Sequence, residues 1–476
     1  MHSNAVFARN FRQQIPFELT HSQSMALEQL TEFVCSPADN QIFILNGYAG
    51  TGKTTLVSAL VRTLKMFQKR CILLAPTGRS AKVFSVYSGQ KAYTIHKCLY
   101  WTKSKDGIRE FTRRPNRCPN TLFIVDEASM IADSTSDGPV FGARSLMDDL
   151  FSYIFEGHNC QLLLVGDAAQ LPPVHYDESP ALSIEYIQRN FDLSAHSATL
   201  TDVTRQTQDS GILYNASQLR LKMEENAFSF PIFAAPTFAD VQRINGGDLE
   251  ELLNSLYSHH DCDEIVTITY SNKRAYRYNQ EIRHRVLYRE ERLCTGDFVI
   301  AVKNNYFWIK DDNEVGFIAN GDNMEILSIN KIEELYGFRF ADVTVRLCDY
   351  PNHDSIDIKV IVDSLESEEA ALSNVQSNQL YEEVAKDYAD IPTKRERYLK
   401  MREDPYLNAV QIKFSYALTC HKTQGGQWPV VLLDQGIIKD GVPDKSYFRW
   451  LYTALTRASQ QVYLINFADE LFEREY

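Results

Sequence analysis

The chain of 476 residues lacks the features of a secreted or membrane protein. Its nine cysteines stand singly, without a Cys-x-x-Cys pair, which argues against a disulfide framework and a structural zinc site and predicts a reducing compartment, the cytosol. No apolar run approaches the roughly 18 residues of a membrane span. The first ten residues contain no signal-peptide core. We therefore expect a cytoplasmic protein without membrane association.

Positive charge is also in short supply. The 49 lysines and arginines face 62 acids, which gives a formal net charge of −13 and disfavours a polyanionic partner overall. Net charge is a global sum, however, whereas a nucleic-acid groove is local. Basic residues do cluster at Lys97, Lys103, Lys105, Arg109, Arg113, Arg114 and Arg117, where the only acids are Asp106 and Glu110. A local site for nucleic acid therefore stays possible.

A glycine-rich loop is the most informative feature that is present. Gly47-Tyr-Ala-Gly-Thr-Gly-Lys-Thr-Thr55 follows the apolar run 41–45 and precedes a helix-like stretch, 56–64. Glycines let backbone N–H groups wrap phosphates, a lysine supplies charge to the β- and γ-oxygens, and a hydroxyl at the helix start suits Mg²⁺. The loop predicts an ATP site with Mg²⁺, and its expected ligands are Gly47, Gly50, Thr51, Gly52, Lys53, Thr54 and Thr55, with Thr54 also on the metal.

Two adjacent acids follow a second buried strand, in Leu122-Phe-Ile-Val-Asp-Glu-Ala-Ser129. In a parallel sheet, this strand end lies beside the phosphate loop. Asp126 is then expected to hold Mg²⁺ and the nucleotide, and Glu127 to orient and deprotonate the attacking water. The alternative is that these acids only cap the next helix.

A third strand end carries a similar arrangement, Leu162-Leu-Leu-Val-Gly-Asp-Ala-Ala-Gln-Leu-Pro-Pro-Val174. Gln170 is placed to sense the γ-phosphate, and Asp167 to touch the metal shell. Here the sequence resembles a known family. Gly166-Asp-x-x-Gln170-Leu-Pro-Pro is similar to motif III of the superfamily 1 DNA helicases, and Asp126-Glu-Ala-Ser129 is similar to their motif II.

Further similarities follow in the family's order along nearly the whole chain. Before the phosphate loop, Leu19-Thr-x-x-Gln23 resembles the adenine-reading Q motif, although it is also a capping box. The remaining matches are Ala75-Pro-Thr-Gly-Arg-Ser-Ala-Lys82 (motif Ia), Thr94-Ile-His96 (Ib), Leu200-Thr-x-x-Thr-Arg205-Gln (IV), His421-Lys-Thr-Gln-Gly425 (V) and Leu451-Tyr-Thr-Ala-Leu-Thr-Arg457 (VI). These motif sequences most resemble those of the RecD/Pif1/Dda-like branch, superfamily 1B.

The resemblance implies roles for particular residues. Gln23 and Gly425 would join the nucleotide ligands. Arg205 and Arg457 would be arginine fingers that, with Lys53, Glu127 and Gln170, complete the catalytic set; singly, each could instead be a surface ion-pair partner. The implied DNA contacts are Thr77, Arg79, Thr94, His96, Trp101, Asn272, Thr419, His421 and Thr423. For His96 and His421, an ordinary structural role is the alternative.

The resemblance also implies the fold, which is α/β with two RecA-like cores and insertions. Alternating strands and helices over residues 15–195 predict the first parallel sheet, and Trp101 to Phe111, with its Asp106-Gly107 turn, predicts a β-hairpin. The expected division is 1–96 and 121–195 (core 1A), 97–120 (hairpin 1B), 196–292 and 409–476 (core 2A), and 293–408 (insertion 2B, an SH3-like β-barrel with a helical extension).

The expected function is an ATP-dependent DNA helicase that binds single-stranded DNA and single-strand/duplex junctions. By kinship it moves 5′→3′, and the basic hairpin with Tyr100, Trp101 and Phe111 is the candidate wedge, unless its aromatics only pack on the sheet. We expect a monomer, with nuclease or replication and repair proteins as partners. One alternative is a RecD-like motor subunit of a helicase–nuclease complex, and another is a phosphate-loop kinase or switch.

Overall fold

A computed structural model describes residues 2–36, 40–105, 108–134, 145–202, 210–235, 237–309, 315, 317–350, 353–436 and 441–472; the side chains of 2–3 and 101–112 lie outside this description. The helices are α1 His2–Gln13, α2 His21–Cys35, α3 Lys53–Met66, α4 Gly78–Ser88, α5 Ile95–Leu99, α6 Leu146–Phe155, α7 Ile184–Phe191, α8 Gly211–Glu224, α9 Leu249–His259, α10 Asn272–Glu281, α11 Asn374–Asp387, α12 Lys394–Arg402, α13 Cys420–Thr423 and α14 Lys445–Leu455. The strands are β1 Gln41–Gly47, β2 Arg70–Ala75, β3 Ala92–Thr94, β4 Tyr100–Lys105, β5 Ile108–Arg113, β6 Thr121–Val125, β7 Gln161–Gly166, β8 Ser194–Leu200, β9 Val241–Ile244, β10 Ile265–Thr269, β11 Phe298–Ala301, β12 Asn323–Leu335, β13 Phe338–Leu347, β14 Ile356–Ile361, β15 Val410–Phe414, β16 Ala417–Thr419, β17 Trp428–Asp434 and β18 Ala458–Ile465.

The first core is built on a parallel sheet with the strand order β3-β2-β6-β7-β1-β8. Its central strands are apolar on both faces; Ile42, Phe43, Ile44 and Leu45 of β1 are each at most 2% exposed, as expected for a sheet covered by helices on both sides. The parallel arrangement brings the loops after β1, β6 and β7 to one edge, which is where ligands bind in such sheets.

The predicted boundary at residue 195 is wrong. β8 pairs with β1 from Ser194 to Leu200, so the first sheet runs on to Leu200. The short, weakly apolar sequence of this strand hid it, because its position at the sheet edge leaves His196 and Ser197 exposed.

The second core contains another parallel sheet, with the order β16-β10-β17-β18-β9. The sequence predicts one strand over residues 410–418 in the second core, but the structure has two strands there. β16 belongs to this sheet, whereas β15 pairs with β11 and β14 of the inserted barrel. Residues 410–414 therefore belong to the barrel and not to core 2A, because the chain crosses from one sheet to the other at Ser415 and Tyr416.

The insertion is a closed barrel with the order β11-β12-β13-β14-β15. A buried ion-pair network fastens it to the second core. Arg283, in the π-helical turn after α10, donates to both carboxylate oxygens of Asp297 at 3.0 and 2.9 Å, and Arg289 donates to the same carboxylate at 2.6 Å. Breaking one partner of such a buried pair is strongly destabilising. Helices α11 and α12 confirm the charged helical extension.

The hairpin β4–β5 forms a two-stranded antiparallel sheet of its own; its predicted turn, Asp106-Gly107, lies outside the described residues. The assignment of Tyr100 to the wedge is wrong. This side chain is 7% exposed, and its hydroxyl donates to Asp149 of α6 at 2.7 Å. Arg113, at the other strand's end, pairs with Glu156 of the same region. Tyr100 and Arg113 thus anchor the hairpin base to the first core.

Within the described ranges, the structure has no helix that is both apolar enough and long enough to cross a lipid bilayer.

Candidate nucleotide and nucleic-acid site

The phosphate loop lies between β1 and α3 in the conformation that its glycines permit. Gly50 and Gly52 have φ angles of 74° and 85°, a region that disfavours any side chain. A Cβ on Gly47 would lie 2.6 Å from Cγ of Lys53. The Lys53 ammonium donates to the carbonyls of Gly47 and, at 3.0 Å, Tyr48, and lies 3.8 Å from Asp167 Oδ2. The residues therefore fit a phosphate group, for which the ammonium and loop N–H groups are suitable donors.

Around this loop, Thr51 is fully buried and its hydroxyl donates to the Tyr48 carbonyl at 2.8 Å, whereas Thr54 at the helix start is exposed and Thr55 is half-buried. An exposed hydroxyl at a helix N-terminus fits the predicted metal-binding role of Thr54. The loop conformation is thus held from within by Thr51 and leaves Thr54 open on its outer side.

Gln23 links α2 to the phosphate loop. Its amide nitrogen donates to the Thr51 carbonyl at 2.9 Å, and its oxygen accepts from the Thr20 backbone N–H at 3.0 Å. The capping box is therefore confirmed, since Thr20 also accepts from the Gln23 backbone N–H. The adenine contact of Gln23 stays a prediction.

The acids after β6 are held in distinct ways. Asp126 accepts a 2.5 Å hydrogen bond from the Tyr87 hydroxyl of α4. Glu127 has a φ angle of 51°, a left-handed conformation that costs free energy for a residue with a side chain and is common at functional sites. Burial raises the pKa of Glu127, and the nearby charge of Arg457 opposes that shift. A carboxylate with a raised pKa suits proton abstraction from water.

Gln170 and Asp167 shape the loop after β7. Asp167 is 1% exposed and accepts from the Ala169 backbone N–H at 2.9 Å. Among the described residues, Oε1 of the buried Gln170 has no hydrogen-bond partner. Buried polar atoms are normally satisfied, so an acceptor left over in a cleft indicates a ligand or water contact.

The second core contributes the end of α14 and Arg457, two residues beyond that helix. Arg457 is 4% exposed, and its guanidinium donates to the carbonyls of Thr453 at 3.0 Å and Gly426 at 3.1 Å and to Thr456 Oγ1 at 3.2 Å. Its charge is felt by Glu127 of the first core. These hydrogen bonds of Arg457 are to groups of its own core, and its role as an arginine finger stays a prediction. The second predicted finger, Arg205, lies outside the described residues.

Hydrogen bonds of Tyr452 and Thr453 join the two cores near the nucleotide site. The Tyr452 hydroxyl accepts from the Ala49 backbone N–H and donates to Asp167 Oδ2, each at 2.7 Å. The Thr453 hydroxyl accepts from the Leu171 N–H at 2.8 Å. We did not predict roles for Tyr452 or Thr453; their hydroxyls within the motif VI stretch were the available signal.

Motif V lies elsewhere than expected. Gln424 donates to the Leu171 carbonyl at 2.7 Å, but a Cβ on Gly425 would lie 3.0 Å from Ser80 Cβ and 3.4 Å from Thr77 Oγ1. The structure thus packs Gly425 against the start of α4 and not against the phosphate loop, which corrects its assignment to the nucleotide. With a φ angle of 72°, this glycine allows the close approach of the two cores.

Several predicted DNA contacts are engaged with protein. Thr77 and Thr94 are helix N-caps, and the fully buried Thr423 donates to the Cys420 carbonyl at 2.8 Å, so its predicted DNA contact is wrong in this conformation. The Arg79 guanidinium stacks 3.8 Å from the Trp428 ring centroid and donates to the Gln427 carbonyl at 3.1 Å. Arg79 of motif Ia thus contacts residues of the second core.

The remaining predicted contacts surround this region. The His96 ring lies 6.1 Å from that of Phe317, near the barrel, and His421 is exposed. The Trp101 side chain lies outside the description. Asn272 and Thr419 line one recess with Lys413 and Lys422, whose pKa values burial lowers to about 8. Those two lysines were missed because neither lies in a basic cluster of the sequence.

Two parallel-sheet cores that meet at a phosphate loop, with paired acids in one core and an arginine in the other, are the arrangement of a two-core phosphate-loop nucleoside triphosphatase. Comparison with known families agrees. Residues 18–231 match the model of an AAA domain, and residues 414–465 match that of the UvrD-like helicase C-terminal domain. Together with the ordered motifs, these matches support a relationship to the superfamily 1B helicases of the RecD/Pif1/Dda-like group.

Individual relatives share shorter stretches. The chain is 33% identical over 156 residues to the ATP-dependent RecD2 DNA helicase of Deinococcus radiodurans, which covers 33% of this chain and 18% of that protein. It is 31% identical over 166 residues to the ATP-dependent DNA helicase dda of Enterobacteria phage T4, covering 34% of each. The matched stretches thus span at most about a third of these relatives. A Bacteroides Pif1 helicase structure with ADP-AlF3 and ssDNA aligns over 97% of this chain and 95% of its own, with 16% identity and a TM-score of 0.48.

Proposed function

We propose that the chain is an ATP-dependent DNA helicase that moves 5′→3′ along single-stranded DNA, hydrolyses ATP in response to DNA and unwinds duplexes. The observation that carries the proposal is the seam at which the phosphate loop, Asp167 and Glu127 of the first core meet Tyr452 and Arg457 of the second. A nucleotide in such a seam can control the distance between the cores, because both cores contribute groups to it.

In this proposal Lys53 and the loop N–H groups bind the β- and γ-phosphates, while Thr54 and Asp126 hold Mg²⁺. The bound metal would neutralise charge on the phosphates. Glu127 takes the proton of the attacking water, and Gln170 Oε1 accepts a hydrogen bond from that water. Arg457 stabilises negative charge on the transferring group. Support comes from the raised pKa of Glu127 and from the free acceptor on Gln170 among the described residues.

The DNA track would run past motif Ia, motif Ib and motif V, with the hairpin β4–β5 as the wedge. A motor needs contacts with the track that differ between its states. Arg79 suits this need, because it stacks on Trp428 across the two cores and could exchange that contact for a DNA phosphate. Opening a base-pair step costs only about 1.4 kcal/mol on average, so the wedge acts through geometry more than through energy.

A single-turnover unwinding assay on 5′-tailed and 3′-tailed duplexes tests the proposal. We expect unwinding of the 5′-tailed substrate only, and ATP turnover that rises strongly with added single-stranded DNA. The stimulation should fall with salt, because binding releases roughly 0.7 counterions from single-stranded DNA for each phosphate that the protein neutralises, and added salt opposes that release. Turnover indifferent to DNA would contradict the motor, and unwinding of the 3′-tailed duplex alone would reverse the proposed direction.

A further inference from the structure

The Tyr452 hydroxyl stands at a junction between the two cores. Tyr452 belongs to α14 of the second core and is 1% exposed. Its hydroxyl accepts from the Ala49 N–H of the phosphate loop and donates to Asp167 Oδ2, each over 2.7 Å. Both its donor and one acceptor position are therefore committed to the first core.

The neighbouring bond of Thr453 has a different target. Thr453 accepts from the N–H of Leu171, in the loop after β7, and does not involve the phosphate loop. Tyr452 instead contacts the loop at a backbone N–H, the kind of group with which such loops bind phosphate oxygens. Asp167, its second partner, lies 3.8 Å from the Lys53 ammonium. The Tyr452 hydroxyl thus contacts the phosphate loop directly, and the Asp167 carboxylate links it to Lys53 of the same loop.

We propose that the Tyr452 hydroxyl competes with a nucleotide phosphate for the Ala49 N–H, so that nucleotide binding releases α14 from the phosphate loop. Tyr452 is then a positioning residue that reports occupancy of the loop to the second core. The inference rests on the proposed function in one respect, namely that the loop binds a nucleoside triphosphate.

The physical reason is that a backbone N–H makes one strong hydrogen bond at a time. In the structure, the Ala49 N–H donates that bond to the Tyr452 hydroxyl, and the Lys53 ammonium donates to the Gly47 and Tyr48 carbonyls of its own loop. A phosphate that binds both the Ala49 N–H and the Lys53 ammonium must first displace the Tyr452 hydroxyl. The same helix turn leads to Arg457, whose guanidinium donates to the Thr453 carbonyl at 3.0 Å. Release of Tyr452 would therefore free the turn that positions the arginine finger.

The substitution Tyr452→Phe tests the competition, since it keeps the buried ring and removes the hydroxyl. In the nucleotide-free variant, the Ala49 N–H and the Asp167 carboxylate lose a partner, which penalises the free form. With bound nucleotide, the phosphate satisfies that N–H in both proteins. We expect the variant to bind a fluorescent non-hydrolysable ATP analogue, with Mg²⁺, about tenfold more tightly than the wild type.

Tyr447→Phe is the matched control. Tyr447 lies on the same helix, is 3% exposed and stacks its ring on Trp450 within the second core, at 6.0 Å between ring centroids. This variant should bind the analogue as the wild type does. A second readout is the rise in melting temperature on adding the analogue, which should be larger for Tyr452→Phe than for wild type and control.

Unchanged or weaker binding by Tyr452→Phe, with wild-type binding intact, would overturn the inference and leave the proposed function standing. An equal gain in Tyr447→Phe would also overturn it, because the effect would then belong to loosening of the helix. Failure of the wild type itself to bind the analogue would refute the nucleotide site. If the melting temperature of Tyr452→Phe is too low for a titration, the rise in melting temperature on adding the analogue tests the inference instead. Equal rises in the wild type, Tyr452→Phe and Tyr447→Phe would contradict the competition.

Discussion

The two faces along which the cores meet are built from different chemistry. On one, which we name the nucleotide seam, Ala49, Asp167 and Leu171 face Gln424, Tyr452 and Thr453. On the other, the track seam, Gly78, Arg79 and Lys82 face Trp428 and the barrel residues Asp322, Cys348 and Asp349. The described hydrogen bonds of the nucleotide seam come from hydroxyl and amide groups, whereas the track seam joins cations to an aromatic ring, a carbonyl and buried acids.

The difference has a consequence for how each seam responds to its ligand. At the nucleotide seam, a phosphate oxygen can replace a hydroxyl as the acceptor of a backbone N–H such as that of Ala49. The track seam instead holds charged side chains, such as Arg79 above Trp428 and Lys82 on the Cys348 carbonyl at 3.0 Å, which in the proposed function would exchange these contacts for DNA phosphates. We therefore expect the contacts between the cores at the nucleotide seam to respond to a bound phosphate, and those at the track seam to respond to DNA and to salt.

The largest effect is expected at the nucleotide seam, from Lys53→Ala. The substitution removes the only charge that the phosphate loop itself offers to a triphosphate, so ATP turnover should fall on the order of 100-fold or more. Steady-state ATPase measurements with saturating single-stranded DNA check this. Lys65→Ala, an exposed position at the end of the same helix, is the control and should leave turnover unchanged. Normal turnover in Lys53→Ala would mean that the site lies elsewhere.

Deletion of residues 102–112 tests the wedge independently of the two seams. It removes the hairpin while keeping its anchors, Tyr100 on Asp149 and Arg113 on Glu156. Duplex unwinding should disappear, while DNA-stimulated ATP turnover, which both seams serve, should persist. Unwinding of a 5′-tailed duplex and ATPase are measured on the same preparation. A deletion variant that still unwinds would refute the wedge.

The charge dependence of the track seam is tested with Arg79→Ala. Loss of one phosphate contact should weaken single-stranded DNA binding several-fold and reduce the slope of log affinity against log salt by about 0.7. Fluorescence anisotropy of a labelled oligonucleotide over a salt series gives both values. Arg79→Lys keeps the charge and should keep the slope. An unchanged slope in Arg79→Ala would show that Arg79 stays on Trp428 when DNA binds.

The smallest effect concerns Asp322, which is 3% exposed and faces the start of α4. Burial and then the neighbouring Asp349 raise its pKa to about 8, while the Ala319 N–H opposes the shift. The folded protein therefore keeps a proton that the unfolded chain releases above its ordinary pKa of about 4. Stability should accordingly fall as pH rises from about 4 to 8, by no more than about 1.4 kcal/mol per pH unit.

Asp322→Asn should flatten this dependence, so that its melting temperature exceeds that of the wild type by a margin that grows from pH 5 to pH 8. Melting curves across that range measure the margin. Asp354→Asn, at an exposed position of the barrel region, should follow the wild-type curve. Parallel curves for Asp322→Asn and the wild type would mean that Asp322 is ionised in the fold.

The barrel shows where sequence reasoning reached its limit. The period-two alternation of residues 343–347 predicts a strand, and β13 there buries Val343, Val345 and Leu347 and exposes Arg346. The similar pattern of residues 356–362 also predicts a strand, but β14 buries its last four residues in a row, Lys359 included. The division of 410–418 between two sheets was missed, since a strand-like pattern does not reveal which neighbouring strand each half will pair with. Likewise, the sequence predicted Tyr100 as an aromatic residue of the wedge, because its hydrogen bond to Asp149, 49 positions away, is not visible in any local pattern.

By itself, the sequence determined the local chemistry of this protein. The glycines around Lys53, the acids after β6 and the alternation of strands and helices act over a few residues, so their spacing suffices to predict a phosphate loop and parallel sheets. Only the tertiary structure decided which groups face one another across the two seams. Tyr452 and Ala49 are 403 positions apart, and Arg79 and Gln427 are 348 apart. Such pairs depend on how the cores pack, which no local pattern encodes.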